Sequence, residues 1–134
     1  MNLSGIKIDE EVMKKHGVTL GILFGSQVFG GKHPGSDVDI GVLFKDNNIV
    51  KKKPVEVYGD LQEEFSKHFK NRKIDIVYLK DTPLSLQNKV INDGVILYES
   101  SPLVFANYRE KIMKHYFDFK FFEDIINRAF VANA

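Results

Sequence analysis

Asp37 and Asp39 stand two residues apart in the run Asp37-Val38-Asp39-Ile40-Gly41-Val42-Leu43-Phe44. Side chains of an extended chain alternate between faces, so both carboxylates share a face with Gly41, their Cβ atoms roughly 6–7 Å apart, while Val38, Ile40 and Val42 take the other. Like charges side by side in a strand repel unless a cation or hydrogen-bond donors offset the repulsion, and strands disfavour Asp in any case. An exposed edge strand with solvated carboxylates is the plainer alternative. Asp75, within Lys73-Ile74-Asp75-Ile76-Val77, is a third carboxylate opposite an apolar face. If the two strands are neighbours, the three carboxylates converge. Three hard oxygen donors without His or Cys suit magnesium and a nucleotide phosphate better than zinc. Gly25-Ser26 ends an apolar run ten residues before Asp37. There the glycine lets backbone approach a phosphate, the serine hydroxyl can donate to it, and a helical turn starting at this point would present anion-binding amides. A strand-ending Gly-Ser is also a common turn, and it gains meaning here from its spacing to the aspartates. Neither a Gly-x-x-x-x-Gly-Lys-Ser/Thr loop nor a Gly-x-Gly-x-x-Gly fingerprint is present.

Positioning these groups requires strands with one apolar face, and the chain supplies them. Asp9 to His16 reads as a short helix stopped by Gly17, and Val18–Phe24 as a buried strand. Ser26–Ser36, with Gly30, Gly31, Pro34 and Gly35, is a turn-rich connection. Asp37–Phe44 is the second strand. Lys45–Pro54 is polar, without an apolar period, and is expected to be a plain connection. Val57/Tyr58, Leu61, Phe65 and Phe69 then follow helical spacing, for a helix laid on a sheet. Lys73–Leu79 is the third strand, with Ile74, Ile76 and Tyr78 on one face and Asp75 on the other. Pro83–Asp93 is a helix ended by Gly94, Val95–Tyr98 a short strand, and the chain after Pro102 helical nearly to its end. Strands alternating with helices predict an α/β or α+β sandwich. With no repeat and no long linker, residues 1–134 are expected to form a single domain, with the motif region at 20–79 and a C-terminal helical, aromatic segment at 102–134.

Composition narrows the function classes. There is no cysteine, which excludes disulfide scaffolds, thiolate zinc sites and thiol nucleophiles. With 19 Lys+Arg against 18 Asp+Glu, no overall field favours sequence-independent nucleic-acid binding, so binding must be local. Met1–Ile6 carries no basic leader followed by an apolar stretch, and no run approaches a membrane span, so the expected location is the cytoplasm, without nucleic acid or membrane as direct partner. Lys51-Lys52-Lys53 reads as a solvated loop or as a contact for phosphates or an acidic partner. His16, His33, His68 and His115 lack metal-ligand spacing and are expected at the surface. Half of the sixteen aromatics fall between Phe105 and Phe130. Phe105, Tyr108, Ile112, Tyr116, Phe119, Phe122, Ile126 and Phe130 form one helical stripe, and Met113, Phe117, Phe121 and Ile125 another. One stripe can cover the sheet; two make an apolar face broad enough for a partner protein.

Phe24-Gly25-Ser26, the ten-residue gap, Ser36-Asp37-Val38-Asp39-Ile40 and Lys73-Ile74-Asp75-Ile76-Val77 together resemble the DNA polymerase β-type nucleotidyltransferase superfamily. Within it the chain resembles the minimal nucleotidyltransferase (MNT) antitoxins that accompany HEPN-domain RNase toxins. The segments Gly94–Tyr98 and Tyr116–Lys120 extend the likeness over nearly the whole chain. The resemblance implies an α+β fold with a mixed sheet packed against helices, two Mg²⁺ ions held by Asp37, Asp39 and Asp75, and ATP as substrate with its β- and γ-phosphates near Gly25 and Ser26. It also implies in-line attack of an acceptor hydroxyl on the α-phosphate with pyrophosphate leaving, Asp75 assisting deprotonation, and a tyrosine of the HEPN toxin as acceptor in a hetero-oligomer. Related sequences usually carry an arginine shortly after Gly-Ser. Here the stretch is Gln27-Val28-Phe29-Gly30-Gly31, and only Lys32 or His33 could supply a charge from the same loop. Two other readings remain: an antitoxin that masks its toxin through the aromatic tail with little or no catalysis, and nucleotidyl transfer to a small molecule.

Overall fold

The computed structural model describes residues 5–25 and 37–132. In chain order these are α1 (Glu10–Lys15), β1 (Val18–Phe24), β2 (Val38–Phe44), α2 (Asn48–Lys52), α3 (Pro54–Ser66), β3 (Ile74–Tyr78), a 3₁₀ turn (Leu79–Asp81), α4 (Leu84–Asp93), β4 (Val95–Glu99) and α5 (Val104–Ala132). The strands form one sheet in the order β3-β2-β1-β4. β1 runs antiparallel to β2 and β4, and β2 runs parallel to β3, so the sheet is mixed as expected.

Local signals account for most boundaries. The Asp9 carboxylate caps α1 by accepting from the Glu11 amide, with Glu10 and Glu11 in the first turn and Lys14 and Lys15 in the last. Gly17 ends that helix at φ +69°, a conformation open to glycine at little cost. Pro54 sits in the first turn of α3, where its missing N–H costs nothing. At the start of α5 the Phe105 amide donates to Glu99 at 2.8 Å, tying the helix to the end of β4.

The period-two pattern sorts the core into two layers. On one face Leu23, Val38, Ile40, Val42, Ile74 and Ile76 meet Met13 of α1 and Val57, Leu61 and Phe65 of α3. On the other, Leu20, Ile22 and Phe24 meet Leu79 and Val90, with Val104, Phe105 and Tyr108 of α5 against them. Gln62 of α3 donates to the Ile74 carbonyl at 3.1 Å and so pins the start of β3 under that helix.

Two expectations are corrected. Lys45–Pro54 holds α2: the Asp46 carboxylate accepts from the Asn48 amide at 2.9 Å, and Ile49 and Val50 pack against the core, a pair too short to register as a period. His16 is buried, not at the surface, with its Nε2 2.7 Å from Asp60. Phe69 is buried as its spacing implied, although α3 ends before it, whereas Tyr58 stays 41% exposed. No helix among the described residues is long and apolar enough to cross a membrane.

The aromatic stripe does less for the core than its length suggests. Phe105, Tyr108 and Ile112 pack inward, but Phe117, Phe119, Phe121, Phe122, Ile126 and Phe130 are all exposed. At about 1.5 Å per residue, a 29-residue helix runs about 43 Å, longer than the sheet it covers.

Candidate active site

The three aspartates come together through strand order. β2 lies inside the sheet, flanked by β3 and β1, so the edge-strand alternative does not hold. Asp39 pairs in register with Asp75 on β3 and with Phe24 on β1. Residues in register on parallel strands point to the same face, so Asp39 and Asp75 stand side by side opposite the Ile40 and Ile76 layer. Asp37 immediately precedes β2, where the Val38 amide donates to the Lys73 carbonyl at 2.8 Å and carries the ladder to its level. Asp37 and Asp75 are exposed and Asp39 is half-buried.

Gly25 completes this end of the sheet. It follows Phe24 with φ +85°, and a Cβ at that position would run into the Asp39 carboxylate, with Cγ at 3.3 Å and Cβ at 3.5 Å. Glycine is required twice over, for the backbone angle and for the space. Ser26 lies outside the described residues, as do Gln27, Lys32, His33 and the rest of the connection to Ser36.

Burial first, then the neighbouring Asp75 and Asp37, push the Asp39 carboxyl above the ordinary carboxylate range. Mutual repulsion of this kind is what an added cation relieves. The donor set is oxygen only and suits a hard ion such as magnesium. As the side chains stand, no group of three or more His, Cys, Asp or Glu among the described residues is arranged to hold a metal ion.

Chemically, this end of the sheet offers adjacent carboxylates beside a backbone stretch that lets a phosphate approach. Sequence reasoning identified the aspartates and Gly25 but not the contact between Gly25 and Asp39. That contact depends on the register of β1 against β2, which no local spacing encodes.

Residues 6–103 match the family described as polymerase beta, nucleotidyltransferase. The chain is similar to the protein adenylyltransferase MntA of Aphanizomenon flos-aquae, 31% identical over 98 residues that make up 69% of this chain and 64% of the relative. The match thus spans a little under two thirds of that relative. Among solved structures it is similar to a toxin–antitoxin with AMP-PNP, at TM-score 0.67 and 22% identity, covering 96% of this chain and 98% of the other. It is also similar to a chain of the complex between a tri-AMPylated Shewanella oneidensis HEPN toxin and its MNT antitoxin, at TM-score 0.59 and 19% identity over 90% of each chain. At these identities the structural likeness establishes the fold.

Proposed function

The chain belongs to the polymerase β nucleotidyltransferase family, and from that membership we propose that it is an antitoxin enzyme, a protein adenylyltransferase that moves AMP from ATP to a tyrosine of a HEPN-domain RNase toxin. The observation that carries this reading is the in-register pair Asp39 and Asp75, with Asp37 two residues away and Gly25 against Asp39. Residues 1–134 act as one domain in the cytoplasm, with the chemistry in residues 20–79 and the toxin bound through 102–134.

In the proposed reaction the tyrosine oxygen attacks the α-phosphorus of ATP. The bond from that phosphorus to the bridging α–β oxygen breaks, and pyrophosphate leaves. The phenolic proton passes to the Asp75 carboxylate, which is exposed and can release it to water. Asp37, Asp39 and Asp75 are the groups that would hold Mg²⁺, two ions in this reading, and bound Mg²⁺ supplies charge that lowers the acceptor pKa and stabilises the leaving phosphates. Gly25 leaves room for the β- and γ-phosphates, and Ser26, next in the chain, is assigned to hydrogen-bond them. AMP on a tyrosine at an RNase site would repel the RNA backbone, which explains neutralisation physically.

Incubation with labelled ATP and a cognate HEPN-domain protein is expected to label the latter. The Asp37→Asn/Asp39→Asn variant should abolish the label; label that survives would sink the assigned site. Mg²⁺ should also raise the melting temperature of the wild-type chain and not of that variant, a readout independent of activity.

The exposed distal half of α5 favours a second reading, neutralisation by direct masking. Among the described residues, a deletion of 117–134 takes away only side chains that lie outside the core. If neutralisation persists in the Asp variant but disappears in this truncation, masking is the mechanism.

A further inference from the structure

A cavity of about 590 Å³ opens at the other end of the sheet from the carboxylates, where β2 runs out at Phe44 and β1 begins. Five residues of strand separate Asp39 from Phe44, roughly 16 Å at about 3.3 Å per residue, so this is a separate site. Four elements bring a lysine to it: Lys45 just after β2, Lys51 in α2, Lys80 in the 3₁₀ turn and Lys111 in α5. Asp81 is the single carboxylate in the lining, and none of the four lysines forms an ion pair among the described residues.

Between the lysines the wall is mostly apolar and aromatic, with Thr19, Asn47, Gln87 and His115 interspersed. Phe44 meets Tyr78 edge to face at 5.1 Å. Tyr108 is held in place by donating to the Gln87 Oε1 at 2.8 Å, while the Gln87 amide donates to the Thr82 carbonyl at 3.0 Å. Ile112 is buried beside them. The Tyr78 hydroxyl is buried without a hydrogen-bond partner among the described residues. The cavity therefore combines a rim of mobile point charges with a rigid apolar wall, at a volume typical of small-ligand sites. Converging lysines repel one another, and an anion is what removes that cost. Lysine serves phosphate well, as a compact charge with three donors.

We propose that this cavity is a second binding site, taking an organic phosphate of nucleotide size with its phosphate among Lys45, Lys51, Lys80 and Lys111 and its ring system against Phe44 and Tyr108. The concave shape favours a small molecule over an extended polymer. Residues that are 29 and 31 apart in sequence meet here, so the site is a product of the tertiary fold.

The test uses the ¹⁵N-labelled full chain in EDTA, titrated separately with AMP and with inorganic tripolyphosphate. AMP should give saturable amide shifts at Phe44, Lys45, Lys80 and Lys111, with a dissociation constant below about 1 mM. The Lys80→Glu/Lys111→Glu variant should weaken it by about tenfold or more, with an unchanged melting temperature because both side chains are exposed. Asp37→Asn/Asp39→Asn should leave it unchanged, which keeps this outcome distinct from failure of the carboxylate site. No saturable shift at those amides, or binding indifferent to the lysine charge reversal, would overturn the proposal. Binding of tripolyphosphate with AMP silent would overturn the assignment of an organic body.

Discussion

At the scale of single residues, Asp39 is where stability and chemistry oppose each other. Burial and two neighbouring carboxylates raise its pKa, so the ionised side chain costs the fold stability at neutral pH. Asp39→Asn should therefore melt higher than wild type in EDTA and, under the proposed function, lose the response to Mg²⁺ and lose adenylyl transfer by a factor on the order of 10²–10³, equivalent to about 3–4 kcal/mol. Calorimetry with and without Mg²⁺ beside a labelled-ATP assay checks all three. Glu64 shows the opposite balance. Burial pushes its carboxyl up, but the Asp9 amide at 3.0 Å, His68 at 3.1 Å and Lys67 at 3.3 Å outweigh burial and hold it below the ordinary range. A carboxylate whose folded pKa is depressed contributes stability that is present above its unfolded value and lost as pH falls through the folded one. Wild-type stability should then decline as pH drops below the ordinary glutamate value of 4.5. Glu64→Gln should lower stability at pH 7 by about 1–2 kcal/mol and flatten that decline, measured by urea unfolding from pH 3 to 7, with intervals of about half a unit.

At the scale of elements, β2 is the strand on which the site depends, and its glycine is as constrained as its aspartates. A Cβ on Gly41 would meet the fully buried Leu79 at 2.7 Å, on the same face as Asp39. Gly41→Ala should destabilise by about 1–3 kcal/mol through overpacking and push the 3₁₀ turn off the sheet, read as a lower urea midpoint with an unchanged slope. The alternation of Asp37, Asp39 and Gly41 was visible in the sequence because a strand that is apolar on one face has a strict period of two. The helix α2 was not visible, since five residues with two apolar positions carry no period. Burial of His16 was equally hidden. Its partner Asp60 lies 44 residues away, and only the packing of α1 on α3 joins them.

At the scale of the whole molecule, the protein has two ends and an arm. Carboxylates gather at one end of the sheet and lysines at the other, within a chain whose formal charge is only +1. Near-neutrality thus hides a separation of charge. The distal part of α5 carries exposed aromatics and, among the described residues, no buried one beyond Ile112. Deleting residues 117–134 should change stability by no more than about 0.5 kcal/mol, since no core contact is lost. It should nevertheless remove binding to the HEPN partner proposed above, measured by calorimetric titration, because the exposed apolar face is what such a partner would cover. A large loss of stability would instead show that the arm folds back on the body.

The sequence by itself determined a fold of alternating strands and helices, the two-faced strands, the aspartates as a candidate site and a C-terminal helix too apolar for its own needs. Each of these follows from local physics: side-chain period, caps, and residue chemistry at short range. The tertiary structure alone decided that Asp39 pairs with Asp75, that Gly25 has room for nothing larger, that both aromatic stripes are left largely uncovered beyond Ile112, and that four distant lysines share one cavity. These are contacts between strands and helices far apart in the chain. They depend on register and packing, and short-range spacing does not carry that information.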